Sequence, residues 1–290
     1  MTVVAADQVS VPRRLARLVR LEHTVFALPF AYVGALLGAA GWPGWVALGW
    51  VTLAMVGART LAMGLNRLID AEIDARNPRT AGRELPSGAL SRRAVLSLCA
   101  VALALYLVAV ARLDPVARWL WPIPVVLFVV YPYLKRVTWL CHAWLGVCLG
   151  LAPVGAALAV TGSASWELWT IGLAVAFWVA GFDLFYALFD LDHDRARGLH
   201  SFATRFGIAG TFTGARLHHA ATVALLAAAG AGLGRGAWYW AGVAACAVIL
   251  LYEHSLVRPG DLSRLDAAFF NANGALSLSF GAFVALDVLL

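Results

Sequence analysis

The stretch GLNRLIDAEIDARNPRTAGRELPSGAL, residues 64–90, decides how the rest of the chain is read. It holds Arg67, Asp70, Glu72, Asp74, Arg76, Arg79, Arg83 and Glu84, yet it follows a run from Trp45 to Leu65 that is apolar apart from Thr52, Arg59 and Thr60. A helix that stays hydrophobic and then ends in acids and bases lies across a boundary between two solvents. Composition names one of them. The chain is 62% hydrophobic and 13% charged, with mean hydropathy +0.79, where a soluble domain carries about 25% charged residues. The expectation is an all-α, multi-pass protein of the lipid bilayer, one membrane domain over residues 1–290, with no nucleic-acid partner.

Apolar runs bounded by Gly, Pro or charge fall at 24–41, 45–68, 94–111, 115–134, 138–161, 166–189, 208–232, 237–257 and 265–289. Each is long enough to cross ~30 Å of hydrocarbon, so nine transmembrane helices are expected. The run 115–134 is crowded by Pro115, Pro122, Pro124 and Pro132, whose missing donors neighbouring helices must offset. Basic residues separate by side. Arg13, Arg14, Arg17 and Arg20 precede the first span, and the loops after spans two, four, six and eight carry most of the others. The opposite side holds only Arg112, Arg118 and Arg235. The positive-inside rule then places the N-terminal segment, 1–22, in the cytoplasm, together with two cap loops at 69–93 and 190–207. No small-residue cleavage site follows the N-terminal arginines, so no removable signal peptide is expected. Cys99, Cys141, Cys148 and Cys246 lie in apolar runs without metal-ligand spacing and read as small core residues.

Seven of the sixteen acids sit in two windows, each closing an even-numbered span at its cytoplasmic end. Asn66, Asp70 and Asp74 are four apart and form one helical stripe. In GFDLFYALFDLDHDRARGLHSFATRFG, residues 181–207, Asp183, Asp190 and Asp194 form a second stripe with Tyr186 beside it. Glu72 and Asp192 point about half a turn away and read as solvated. Charges do gather at helix ends in most membrane proteins, but two regular stripes on one side need a further reason. Facing carboxylate rows repel unless a cation lies between them. Carboxylate oxygens suit Mg²⁺, which shares its shell with substrate phosphates, and the nearby arginines bind phosphate through a planar fork. A magnesium–diphosphate site is the expectation.

These residues also carry a resemblance. NRLIDAEID (66–74) and DLFYALFDLDHD (183–194) resemble the two aspartate motifs of the UbiA superfamily of membrane prenyltransferases. RTAGRELPSG (79–88), YPYLKR (131–136) and, more loosely, RLEHTVFALPFAY (20–32) are similar to further motifs of that family in the same order. Glu84 departs from the pattern, where many members have proline. The resemblance implies nine helices around a central cavity and transfer of a prenyl group from a polyprenyl diphosphate to an aromatic acceptor with Mg²⁺. By motif, Asn66, Asp70, Asp74, Asp190 and Asp194 would hold the metal, and Tyr186 would line the catalytic site. Arg67, Arg79, Arg83, Lys135 and Arg136 would bind the diphosphate, and Arg20 and Asp183 would face the acceptor. Gly82, Gly88, Gly198 and Gly207 would let the caps move. Phe182, Phe185 and Phe189 could shield a carbocation, although aromatics in spans are more often packing. His23 and His200 fall near the expected cavity mouth, and the other histidines read as interface residues.

The acceptor implied is an aromatic acid, 4-hydroxybenzoate or the 1,4-dihydroxy-6-naphthoate of the futalosine menaquinone route. The details EHTVFALPFAY and R-E-L-P favour the second. Such an enzyme would serve ubiquinone or menaquinone synthesis at a bacterial inner or plasma membrane, working on the cytoplasmic side. Two other classes remain open. A transporter would put its ionisable groups near the midplane, where only Arg59 and Arg216 fall. A CDP-alcohol phosphotransferase would show a D-G-x-x-A-R motif, which is absent.

Overall fold

The computed structural model describes residues 10–19, 24–258, 262 and 271–290. Arg20 and His23 lie outside the described residues. Every named element among those residues is a helix: α1 (Val11–Val19), α2 (Thr24–Gly38), α3 (Trp45–Arg76), α4 (Arg92–Ala111), α5 (Pro115–Leu120) and α6 (Pro122–Leu134) come first. Then follow α7 (Cys141–Thr161), α8 (Trp166–Tyr186), a 3₁₀ turn (Ala187–Asp190), α9 (Leu191–Ala196), α10 (Phe202–Gly232), α11 (Ala237–Leu256) and α12 (Asn273–Leu289).

Local chemistry sets several boundaries. Ser91 starts α4 by accepting from Ala94 N–H at 3.2 Å. Asp114 starts α5 by accepting from Val116 N–H at 2.9 Å, with Pro115 in the first turn, where its missing donor costs nothing. Ser201 and Thr204 form a reciprocal capping box at α10. Pro122 cannot continue α5 and opens α6, so the proline-rich run becomes two abutting helices.

Six helical segments are long and apolar enough to cross a membrane: Trp45–Arg76, Arg92–Ala111, Pro115–Leu134, Cys141–Thr161, Trp166–Ala196 and Ala237–Leu256. Shorter apolar helices run over Phe26–Gly38 and Asn273–Leu289. α10 is 31 residues long but carries Arg205, Arg216, His218, His219 and four threonines, and it is not among the six. Each of the nine expected spans therefore has a helix among the described residues, and six of them meet that measure.

The bundle is organised around α8. Its Ile171, Ala174, Val175, Trp178 and Val179 are almost fully enclosed, and it packs on α7 and α10. α7 approaches closely because of glycine. A Cβ on Gly146 or Gly150 would run into the backbone carbonyl of Ala176 or Gly172. Small residues of this kind let helices touch where lipid offers no hydrophobic drive for association.

Three boundaries correct the sequence reading, and all bear on the site. α3 continues past residue 68 to Arg76, so the cap expected at 69–93 is a shorter segment between α3 and α4. Asn77 ends α3 with an extended backbone, φ −96° and ψ 119°, because it precedes Pro78. The cap expected at 190–207 is mostly helical, consisting of α9 and the first turns of α10. α10 then bends at Gly207, whose φ of 70° and ψ of −177° are essentially open to glycine alone. The third correction concerns the second stripe. A 3₁₀ turn separates Asp183 from Asp190, and over four residues it turns the register by ~80° relative to an α-helix. Asp183 and Asp190 do not share one α-helical face.

Candidate active site

One cavity of about 700 Å³ lies between α3, the α4–α6 region, α7 and α8. Its inner wall is apolar, with Met55, Leu113, Phe128, Leu151 and Trp169 among the lining residues. Its polar end gathers residues from sequence-distant segments. Asn66, Arg67, Asp70, Asp74, Arg79, Arg83, Lys135, Asp183, Tyr186, Asp190 and Asp194 all line it. The two expected stripes thus face one space.

The first row stands on a regular helix. Asp70 and Asp74 are 3% and 5% exposed. Asp70 accepts from Asn66 Nδ2 at 3.2 Å and pairs with Lys135 Nζ at 2.8 Å. Arg136 Nη2 reaches Asp70 Oδ1 at 3.3 Å and donates to the Ile69 carbonyl at 2.9 Å, so it braces the row from outside the cavity lining. Asp74 pairs with Arg83 at 2.7 Å, and its carbonyl accepts from Thr80 Oγ1 at 2.9 Å. The segment after α3 is thereby folded back onto the helix that precedes it.

The second row is held from across the cavity. Asp190 accepts from Asn77 Nδ2 at 2.8 Å and from Arg79 Nε at 2.9 Å, and its other oxygen takes Arg79 Nη2. Arg79 Nη1 also donates to the Tyr186 hydroxyl at 3.2 Å, and its guanidinium stands 5.3 Å from the Tyr186 ring centre. Burial works to lower the Arg79 pKa, but bonding to Asp190 and Tyr186 raises it above the ordinary guanidinium value. Asp194 lines the cavity without an ion pair among the described residues. Behind this row, Leu184, Phe185, Leu188 and Leu191 pack on Ala203, Phe212 and Ala215 of α10. Phe185 belongs to that packing and is not among the cavity-lining residues, whereas Phe182 is. Phe189 is 37% exposed and packs edge-on against Tyr186.

Glu72 and Asp192 are exposed, as their position on the helix predicts. His200 lines the cavity, and its backbone N–H donates to the Lys135 carbonyl at 2.7 Å. Cys99, Cys141, Cys148 and Cys246 are free thiols, and Cys141 and Cys148 line the cavity. Three further positions at the site belong to none of the sequence motifs. Asn77, 7% exposed, links the end of α3 to Asp190. Its only local signal is its place before proline at the end of the first stripe. Arg59 lines the cavity among apolar neighbours, seven residues before Asn66. The third is His142, whose Nδ1 lies 2.7 Å from Asp183 Oδ2; no spacing of histidines announces it.

Residues 27–275 match the UbiA prenyltransferase family model. The chain belongs to the UbiA prenyltransferase family. It is a multi-pass membrane prenyltransferase, and the transporter and CDP-alcohol phosphotransferase readings fall away. It is 33% identical over 272 residues to a 4-hydroxybenzoate octaprenyltransferase of Aromatoleum aromaticum, covering 92% of each chain. In structure it resembles an apo UbiA homolog from Aeropyrum pernix K1, at 36% identity and TM-score 0.85, over 93% of this chain and 99% of that one. A UbiA homolog from Archaeoglobus fulgidus bound to DMAPP and Mg²⁺ shares the fold at 19% identity and TM-score 0.71, over 95% of this chain and 99% of that one.

Proposed function

We propose that this prenyltransferase moves a polyprenyl group from a polyprenyl diphosphate to a hydroxylated aromatic acid, with Mg²⁺, in respiratory quinone synthesis. The single observation that carries the reading is the shared cavity of about 700 Å³, with two aspartate rows and their cationic partners at one end and an apolar chamber at the other. In this reading the protein crosses the membrane nine times with its N-terminus and charged mouth on the cytoplasmic side.

The donor set suits magnesium. The row residues offer hard oxygens and no thiolate, and among the described residues no three of His, Cys, Asp and Glu form a metal cage. Mg²⁺ does not ask for one, since it keeps waters and binds through one or two carboxylates plus substrate phosphates. Asn66, Asp70 and Asp74 would hold it on one side, and Asp190 and Asp194 on the other. When bound, it neutralises charge that builds on the diphosphate as the allylic C–O bond breaks.

The chain's own groups do the rest. Lys135, Arg83 and Arg79 now pair with carboxylates, and the lysine ammonium and the two arginine forks would turn to phosphate oxygens when the acids take the metal. Arg67 lines the same end, and Arg136 fixes Asp70 from outside. Tyr186, oriented by Arg79, presents its ring to the reacting carbon. The apolar chamber keeps water from the electrophile and takes the prenyl tail. Arg59 and Arg20 are the cations suited to the acceptor carboxylate.

The acceptor 4-hydroxybenzoate is favoured by the curated relative described above. Glu84 and the first-span residues favour 1,4-dihydroxy-6-naphthoate as a second reading. The test uses purified protein in detergent or nanodiscs with Mg²⁺, an octaprenyl diphosphate and each acid in turn. Pyrophosphate release with a prenylated arene identified by mass spectrometry is expected, and it should vanish when EDTA removes the metal. Pyrophosphate without any arene product would overturn the acceptor class.

A further inference from the structure

Outside the cavity, α1 and the start of α4 carry arginines that neither the metal nor the diphosphate reading uses. Leu18 and Val19 of α1 are buried, with Leu15 beside them, against Leu61 of α3, Val95 of α4 and Leu90 of the segment between those helices. Arg14 Nη1 donates to the Ala89 carbonyl at 2.8 Å. The helix is therefore seated by its apolar side, and Arg13 and Arg17, one turn apart, stay exposed. Arg92 and Arg93 open α4 and are exposed as well. Among the described residues, Arg13, Arg17 and Arg93 take part in no ion pair, and Arg92 only approaches Glu72, at 3.8 Å. The helix dipole repels cations in a first turn, so the two arginines of α4 are unfavourably placed until an anion joins them. Their surroundings say which anion. α4 has 20 residues, about 30 Å of helix, enough to cross the hydrocarbon. Leu96, Val101, Leu105 and Val108 are exposed along it. Its first turn thus lies at headgroup level, with an apolar wall beneath.

We infer that Arg13, Arg17, Arg92 and Arg93 form a seat for the headgroup of an anionic phospholipid. The lipid phosphate takes the planar forks of α1 and α4, and its acyl chains lie along the exposed face of α4. A soluble anion gains the first of these contacts and lacks the second. General membrane orientation asks only for basic charge on one side. Here apolar docking and a hydrogen bond fix α1 beside α4, so the four arginines are held at set positions rather than spread along loops. The seat also bears on the catalytic end. α1 holds Ala89 and Leu90, and the segment they close carries Arg79 and Arg83, which line the cavity. A lipid that ties α1 to α4 braces that segment. The seat requires only a chain that crosses the bilayer, and it stands whether or not the acceptor is an aromatic acid.

The experiment places the full chain in nanodiscs of phosphatidylcholine with a rising fraction of phosphatidylglycerol. Native mass spectrometry counts the lipid retained, and thermal unfolding is followed in parallel. The unaltered protein should retain phosphatidylglycerol over phosphatidylcholine and melt at a higher temperature as its fraction rises. Arg13→Gln with Arg17→Gln, and Arg92→Gln with Arg93→Gln, should each lower that preference by about 30-fold, near fivefold for each arginine. Arg112→Gln with Arg118→Gln removes the same charge beyond the other end of α4 and should leave the preference unchanged. Melting in pure phosphatidylcholine shows that each double variant is folded. Where one is not, the single variants Arg17→Gln and Arg93→Gln decide, each expected at about fivefold. An unchanged preference in either pair, or an equal loss in the Arg112 and Arg118 variant, overturns the seat. Displacement of the retained lipid by inorganic phosphate, or by a polyprenyl diphosphate, at equal concentration would give these arginines to a soluble anion or to the substrate, and overturns the phospholipid assignment.

Discussion

The two aspartate rows face one cavity but are built in different ways. The row on α3 lies on unbroken helix, and its Asp70 and Asp74 are almost fully enclosed, each tied to cations. The row beyond α8 is broken by a 3₁₀ turn, and the Asp190 side chain keeps 20% of its surface open. Its partners come from the far side: Asn77 and Arg79 reach it across more than a hundred residues of sequence. One row is thus preformed by its own helix. The other is completed by the segment that follows the first, so the two rows are mechanically joined through residues 77–83.

That difference separates two consequences of removing a carboxylate. Asp70→Asn and Asp190→Asn should each reduce prenyl transfer on the order of 1,000-fold, since each withdraws charge from the site where the leaving group develops its own. Stability should divide them. Asp70 is the more enclosed and satisfies Asn66, Lys135 and Arg136 together, so its variant should melt at the lower temperature. Product assays and thermal unfolding of the same two preparations check both halves. Equal melting temperatures would show that the rows are built alike.

The next effect down tests the link between the rows. Arg79 grips both Asp190 oxygens and the Tyr186 hydroxyl. Arg79→Ala should cost activity by about 100-fold. Arg79→Lys keeps the charge but loses the planar fork, and giving up one charged hydrogen bond should cost about tenfold. If lysine restores full turnover, Arg79 acts as a point charge and the rows are not joined through it.

What the sequence made legible follows the same division. The α3 row is periodic, four residues apart on a continuous helix, so composition and spacing are enough to find its face. The helical runs themselves follow from length and hydropathy, whereas the central cavity is what the family resemblance implies. The second row's register was misread because nothing in ALFD marks a change from 3.6 to 3.0 residues per turn. Asn77 and His142 were missed for a related reason. Each acts on a partner 113 or 41 residues away, and a contact of that range is set by helix packing, which leaves no local periodicity. Arg59 was noticed as an oddity of the midplane and acquires a setting only once the cavity around it is known.

The smallest expected effect comes from the acid that the same spacing argument sets aside. Glu72 lies between Asp70 and Asp74 in sequence, but its side chain is 80% exposed and only approaches Arg92 at 3.8 Å. An exposed pair of this kind contributes about 0–1 kcal/mol, and the side chain has no share in the cavity. Glu72→Gln should therefore leave turnover and melting temperature within about twofold and about 2 °C of the unaltered protein. The same charge removed two residues away, at Asp70 or Asp74, should reduce prenyl transfer on the order of 1,000-fold. If Glu72→Gln lowered kcat as much as Asp70→Asn, net charge at the mouth would be the active quantity, and the distinction between the face and the rest of α3 would lose its meaning.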